Sequence, residues 1–217
     1  MIKSAARVVR EYGPFHDGKN VGGVTYDGKH VWAAIGDKLT SFDPTSGTVQ
    51  RSLNVPAHAG TAFDGKYLYQ IAESRIQKLD PQTGKVLATI PAPGSGGDSG
   101  MAWAEGSLWV GEYRARKIHQ IDPETGRILR SIDSNRFVTG VTWLGEELWH
   151  ATWEGDVSEL RHVDAKTGEV LETLELPDGI NVSGWNRMAA TPFSVAAAAR
   201  ARCAPSARRA QCDTASR

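Results

Sequence analysis

Cysteine is nearly absent: 217 residues contain two, Cys203 and Cys212, both close to the C-terminal end. Two thiols supply neither a disulfide framework nor the four ligands of a structural zinc site. Long apolar runs are missing as well. No stretch approaches the roughly 20 consecutive apolar residues of a membrane span, and the opening segment MIKSAARVVREYGPF lacks the apolar central region of a secretory signal. A cytoplasmic chain with no membrane partner is the expectation. Neither sign of charge is in excess, since 25 Lys and Arg are matched by 25 Asp and Glu. That balance gives no general attraction to nucleic acid or anionic lipid, so no nucleic-acid partner is expected. G-x-S-x-G, H-E-x-x-H and a phosphate loop are absent too, which leaves no metal site expected and no cofactor specified.

What is present is a repeat. Four segments begin GVTYDGKHVWAAIG, GTAFDGKYLYQIAE, GMAWAEGSLWVGEY and GVTWLGEELWHATW, and their leading glycines, Gly23, Gly60, Gly100 and Gly140, are spaced 37, 40 and 40 residues apart. Each unit divides into four short β-branched or aromatic runs separated by turn signals, the layout of a four-stranded propeller blade. The turns have a mechanism. In Asp43-Pro44-Thr45-Ser46-Gly47, Asp80-Pro81-Gln82-Thr83-Gly84 and Asp122-Pro123-Glu124-Thr125-Gly126, Pro presets φ, Asp accepts local backbone hydrogen bonds and Gly takes the left-handed position. Asp164-Ala165-Lys166-Thr167-Gly168 loses only the Pro. Two aromatic columns, Tyr26, Phe63, Trp103, Trp143 and Trp32, Tyr69, Trp109, Trp149, read as wedges packed between adjacent blades.

The fourth strands have a further copy without a blade before it: RVVREYGP, Arg7 to Pro14. Ring propellers avoid open sheet edges by pairing an outer strand from one terminus with inner strands from the other. The expected fold is therefore an all-β, five-bladed propeller with four complete blades, an N-terminal closing strand and a fifth blade begun at the C-terminus. That blade starts at Asn181-Val182-Ser183-Gly184, after which the pattern gives way to Ala/Arg runs. Residues 1–184 are assigned to the propeller and 185–217 to an aberrant tail, partly disordered or a short helix. Such runs arise when Gly-rich codons of a GC-rich gene are read out of frame, and one base lost after Gly184 accounts for them; a genuine Ala-rich helical tail is the alternative. The incomplete blade leaves the flank of blade four exposed and favours self-association.

Tight turns occupy one face of the ring, so candidate functional residues are sought in the irregular loops of the other. Asn20, His58, Asp98 and Asn181 precede the leading glycines, while Glu73, Glu112, Tyr113, Arg114 and Trp153 follow the second strands. They read as a ring converging on a central channel. Asp98 and Glu112 end neighbouring strands of one blade and form a candidate general acid/base pair; the others are candidate ligand-binding groups. His119 and His162 read as ordinary third-strand residues, and His150 as a buried, hydrogen-bonded histidine. A small molecule or a peptide is the expected partner, with an enzyme of acid/base type or a protein-interaction scaffold as alternatives.

The recurring G-x-x-[WYF]…LW…IDP-x-TG…VL resembles the YncE-type and quinoprotein-like repeat propellers, and especially the five-bladed glutaminyl cyclases, over about residues 7–184. The resemblance implies conversion of an N-terminal Gln to pyroglutamate. Those enzymes carry F-T-Q-G-L at the first inner strand, where this chain reads NVGGVTYDG. Lyase and lactonase propellers are more distant neighbours, with more blades.

Overall fold

The computed structural model describes residues 2–8, 10–13, 20–155, 157–187 and 194–200. Val9, Pro14 and the tail beyond Arg200, for which the sequence carried expectations, lie outside them. After β1 (Ile2–Ala5) the chain builds blade one from β2 (Gly23–Tyr26), β3 (Val31–Phe42) and β4 (Val49–Ala57). The first half of β3 pairs with β2 and the second half with β4. Between the halves, Gly36 (φ 62°) holds the place that Glu73 (φ 57°) holds in blade two, so one long strand does the work of two. Blade two contains β5 (Thr61–Phe63), β6 (Leu68–Ala72), β7 (Arg75–Leu79) and β8 (Val86–Pro91). Blade three contains β9 (Asp98–Ala104), β10 (Ser107–Glu112), β11 (Lys117–Ile121) and β12 (Ile128–Asp133). Blade four contains β13 (Phe137–Leu144), β14 (Glu147–Glu154), β15 (Val157–Val163) and β16 (Val170–Glu175). Antiparallel β17 (Ile180–Arg187) and β18 (Ser194–Arg200) form a two-stranded sheet, with β17 packed between β13 and β2. The fold is a β-propeller with four complete blades and a partial sheet between the last and the first.

The turn chemistry sets the blade edges. Asp43, Asp80, Asp122 and Asp164 each accept, on Oδ1, the N–H groups two and three residues ahead at 2.7–3.0 Å. Those donors hold all four carboxyls below the usual carboxylate range; at Asp122 the Thr125 hydroxyl is the largest cause. The glycines that close these turns share φ of 74–78°.

Apolar residues on facing blade surfaces make the walls. Trp32, Leu39 and Leu53 of blade one pack with Leu68 and Leu79 of blade two, and the same arrangement recurs between the later blades. The aromatic columns are inter-blade wedges, as expected: Tyr69 stacks on Trp103 at 5.6 Å and Trp109 meets Trp143 at 5.2 Å.

Three expectations are corrected. The described residues of the expected closing strand, 7, 8 and 10–13, belong to no strand. Ile2–Ala5 instead pairs in parallel with β16, covering the open edge of the complete blade four, because no third strand of the fifth sheet lies among the described residues to receive it. The Ala-rich stretch expected as a helix is strand β18 over Ser194–Arg200, where it satisfies the backbone of β17. Blade four's apolar flank is covered, since Trp149 and Leu160 pack with Val182 of β17 and are 5% and 6% exposed. Around the axis, neighbouring inner strands pack tightly where the leading glycines meet. A Cβ on Gly60 would lie 2.4 Å from the Met101 nitrogen, and one on Gly100 would lie 2.3 Å from that of Val141. Inner strands approach backbone to backbone there, which only glycine permits.

Candidate functional site

The sequence-predicted residues are spread over several blades. Asn20 is exposed. His58 is exposed and points Nε2 toward Asp37 Oδ1 of blade one at 3.8 Å. Glu73 sits in the β6–β7 turn, 3.8 Å from Arg75. Asn181 pairs with Ala199 in the partial sheet. Arg114 projects into solvent.

Asp98 and Glu112 do come together. They are direct ladder partners at the ends of β9 and β10, past a register shift that turns both strand ends. The loop from Pro93 to Gly97 folds over them, with Gly94 N–H donating to Asp98 Oδ1 at 2.8 Å and Gly96 N–H to Oδ2 at 3.3 Å. Gly94 is required by close approach: a Cβ there would lie 2.8 Å from Glu112 Cγ and 2.9 Å from Asp98 Oδ1. Burial raises the Asp98 pKa above the ordinary aspartate value, the two amide donors oppose it, and the Glu112 charge adds to the rise.

Glu112 is held from the other side by a residue that sequence reasoning missed. Its Oε2 lies 3.0 Å from His119 Nε2, and His119 Nδ1 lies 2.8 Å from the Ser131 hydroxyl. Asp98, Glu112, His119 and Ser131 form one polar chain across all four strands of blade three. The available signal was positional: Thr40, Gln77, His119 and Arg161 occupy equivalent third-strand places, each opposite a Ser or Thr, and only His119 brings an imidazole there.

A second cluster adjoins it at the top of blade four. Tyr113 stacks on Phe137 at 4.8 Å, and the Arg116 guanidinium lies 4.6 Å from the same ring centroid. Arg116 Nη2 donates to Glu154 Oε1 at 2.7 Å. Behind them Arg161 donates to Glu159 Oε2 from Nε at 3.0 Å, its Nη2 lies 2.8 Å from the same oxygen, and Nη1 donates to Asn135 Oδ1 at 2.5 Å. Trp153 pairs opposite Phe137, and its indole Nε1 is buried without a hydrogen-bond partner among the described residues. His150 is buried as expected, but its Nδ1 has no hydrogen-bond partner among them either. Desolvation, with the nearby Arg161 charge, lowers its pKa to about 4, so it is neutral at pH 7.

Among the described residues, no group of three or more His, Cys, Asp or Glu could hold a metal ion. None of them forms a helix long and apolar enough to cross a membrane.

No family model and no curated protein matches the chain. Solved structures do. The glutaminyl cyclase of Myxococcus xanthus superposes with a TM-score of 0.71 at 15% identity, covering 85% of this chain and 88% of that one. Hydrazine synthase of Kuenenia stuttgartiensis gives 0.52 at 18% identity over 81% of this chain and 55% of that one. The Pan2 WD40 domain of Neurospora crassa gives 0.52 at 11% identity, with coverage of 75% and 53%. At such identities the similarity is one of fold.

Proposed function

We propose that the chain binds a small molecule or a peptide end bearing an amino group at the loop face of blade three, with Glu112 as its anchor. One observation carries this reading. His119 fixes Glu112 Oε2, while the carboxylate side chain remains 25% exposed and makes no further hydrogen bond or close ion pair among the described residues, its ladder neighbour Lys117 acting on it through charge alone. A pre-positioned, accessible carboxylate spends little ordering entropy on meeting a cationic donor. Tyr113 and Trp153 supply an apolar wall, and Asp98 backs the anchor. Asn20, His58, Glu73 and Asn181 belong to other blades and are not needed for it. Thermal shift with small primary amines and with N-terminal glutaminyl dipeptides tests the reading. Saturable stabilisation, lost in Glu112→Gln, is expected. No stabilisation by any amine, or full retention in Glu112→Gln, would overturn it.

A second reading is enzymatic, and the pairing of unequal carboxylates favours it. Asp98, with its raised pKa, can hold a proton beside Glu112. In a cyclisation of the kind named for the M. xanthus neighbour, Glu112 would take a proton from the attacking α-amino nitrogen as the new N–C bond forms. Asp98 would protonate the departing ammonia. Ammonia release from glutaminyl dipeptides separates this reading from simple binding.

We also propose that the reading frame changes after Gly184. Support comes from β17, whose register shift at Val182/Gly184 repeats the one at Val138/Gly140, so the blade pattern persists to that glycine. Sequencing the gene across this segment decides the matter, and an intact frame would end the proposal.

A further inference from the structure

We infer that the turn face carries a second binding site, between blades three and four, for a small monocarboxylate with a flat apolar body. It lies on the opposite face of the ring from Glu112.

The repeat shows which group that place lacks. Five residues ahead of the second-column aromatics Trp32, Tyr69, Trp109 and Trp149 stand Asp27, Asp64, Ala104 and Leu144. In blade one Trp32 Nε1 donates to Asp27 Oδ2 at 2.7 Å, and in blade two the Tyr69 hydroxyl donates to Asp64 Oδ2 at 3.2 Å. Blade four, with Leu144 in that position, draws its acceptor from Glu147, whose Oε2 receives Trp149 Nε1 at 2.9 Å. Blade three has neither acid, because Ala104 and Ser107 hold the two positions. Trp109 is fully buried, and its indole N–H has no hydrogen-bond partner among the described residues. A donor so placed has lost water and gained nothing in exchange.

The position of the missing acid opens on a cavity. Ala104 lines a recess of about 680 Å³, walled by Trp103 and Arg130 of blade three and by Trp143 of blade four. Trp143 Nε1 is also buried without a hydrogen-bond partner among the described residues. The Arg130 guanidinium lies 4.8 Å from the Trp109 ring centroid, fixed by donation from Nε to Gln120 Oε1 at 2.8 Å, and its Nη groups make no hydrogen bond among the described residues. Indole and guanidinium groups can only donate, so the recess calls for an acceptor. Beside an arginine the strong acceptor is a carboxylate, the group that blades one, two and four supply from their own chain. Neighbouring acids do not fill the role. Asp164 Oδ1 is engaged by the N–H groups of Lys166 and Thr167, while Glu105 and Glu146 are exposed and meet none of these donors. Their charges disfavour a second anionic group on the ligand, and the two indoles suit a flat ring.

The probe is benzoate, titrated into the full chain while the Trp109 and Trp143 indole N–H resonances are followed by NMR. Saturable shifts of both are expected. Benzamide, which keeps the shape and loses the charge, should bind about tenfold more weakly, and so should benzoate to Arg130→Gln, each change removing a charge-assisted hydrogen bond. Phthalate, with its second carboxylate, should bind severalfold more weakly. Ala104→Asp restores the acid from within the chain, so it should raise the thermal midpoint and abolish the benzoate response, leaving stabilisation by primary amines at Glu112 unchanged. No saturable shift, equal binding of benzamide, or an undiminished benzoate response in Ala104→Asp would overturn the inference. Loss of stability in ligand-free Glu105→Gln would overturn it in favour of that side chain as the acceptor.

Discussion

Blades three and four share one pattern of strand pairing, yet one set of equivalent sites carries different chemistry in each. Asp98, Glu112, His119 and Ser131 of blade three correspond to Val138, Thr152, Arg161 and Thr173 of blade four. The last two places are polar in every complete blade: Thr40 with Ser52, Gln77 with Thr89, His119 with Ser131, and Arg161 with Thr173. That recurrence marks a structural column joining third and outer strands. The first two places are both acidic only in blade three. Function is therefore sought where the acids are added to the column, and the column itself is read as architecture.

The largest effect should come from the wall the two blades share. Trp109 is fully buried against Trp143 and under the Arg130 guanidinium, 4.8 Å from its ring centroid. Trp109→Ala should cost about 3–5 kcal/mol in urea unfolding, the usual range for a buried aromatic truncated to Ala. A much smaller loss would mean that blades three and four are coupled elsewhere.

Acid should act on the two blades in opposite senses. His150 titrates at about 4 when folded and near 6.5 when unfolded. The unfolded chain binds the extra proton between those values, so this stability is complete above about pH 6.5 and falls as the pH drops toward 4, by about 3 kcal/mol at full effect. Asp98 runs the other way. Its raised pKa means that the folded chain holds the proton longer, so its contribution is present at low pH and is lost as the pH rises through the folded value. His150→Met should flatten the acid limb of a stability–pH curve, and Asp98→Asn should steepen the net loss on acidification. The reverse assignment of slopes would invert the comparison.

Turn chemistry and inter-blade aromatics were legible in the sequence because both depend on local pattern: an Asp-Pro-x-x-Gly turn declares its φ, and a Trp every blade declares its wedge. The pairing of Asp98 with Glu112 was legible too, since both lie at adjoining strand ends. His119 was not, because its role depends on which neighbour faces it across the sheet, and a lone strand histidine carries no such information. The destination of the N-terminal segment was missed for a related reason. RVVREY matches an outer strand, and Arg10 donates to the Pro44 and Thr45 carbonyls as Arg51 of β4 does to those of Pro81 and Gln82, but hydrogen-bonded pairing also needs a third strand. The preceding Ile2–Ala5, featureless in sequence, found the open edge of β16 instead.

Gly94 should separate packing from chemistry at intermediate cost. An added methyl meets Glu112 Cγ and Asp98 Oδ1 at less than 3 Å, so Gly94→Ala should lose about 1–3 kcal/mol by overpacking. It should also weaken amine binding, because the loop carrying the Asp98 donors is displaced together with Glu112. Gly96→Ala would be strained for a different reason, its φ of 102°, and should leave the Glu112 position intact. If both substitutions affect binding equally, the covering loop and not the carboxylate geometry governs the site.

The smallest effect is expected at Ser131, and it is the most informative about the column. Ser131 is itself exposed, so water can replace its hydroxyl at His119 Nδ1, and Ser131→Ala should change stability by no more than about 1 kcal/mol. In blade one, Thr40 and Ser52 lie 3.2 Å apart and Ile35 holds the place of Glu112, so Ser52→Ala should be equally mild. The two variants should then part company in a binding assay. Ser131→Ala frees the imidazole that orients Glu112 and should lower amine affinity severalfold, whereas Ser52→Ala should not. Equal behaviour in both assays would make blade three's chain part of the common architecture, and the anchor would have to be sought in the Arg116–Glu154 cluster of blade four.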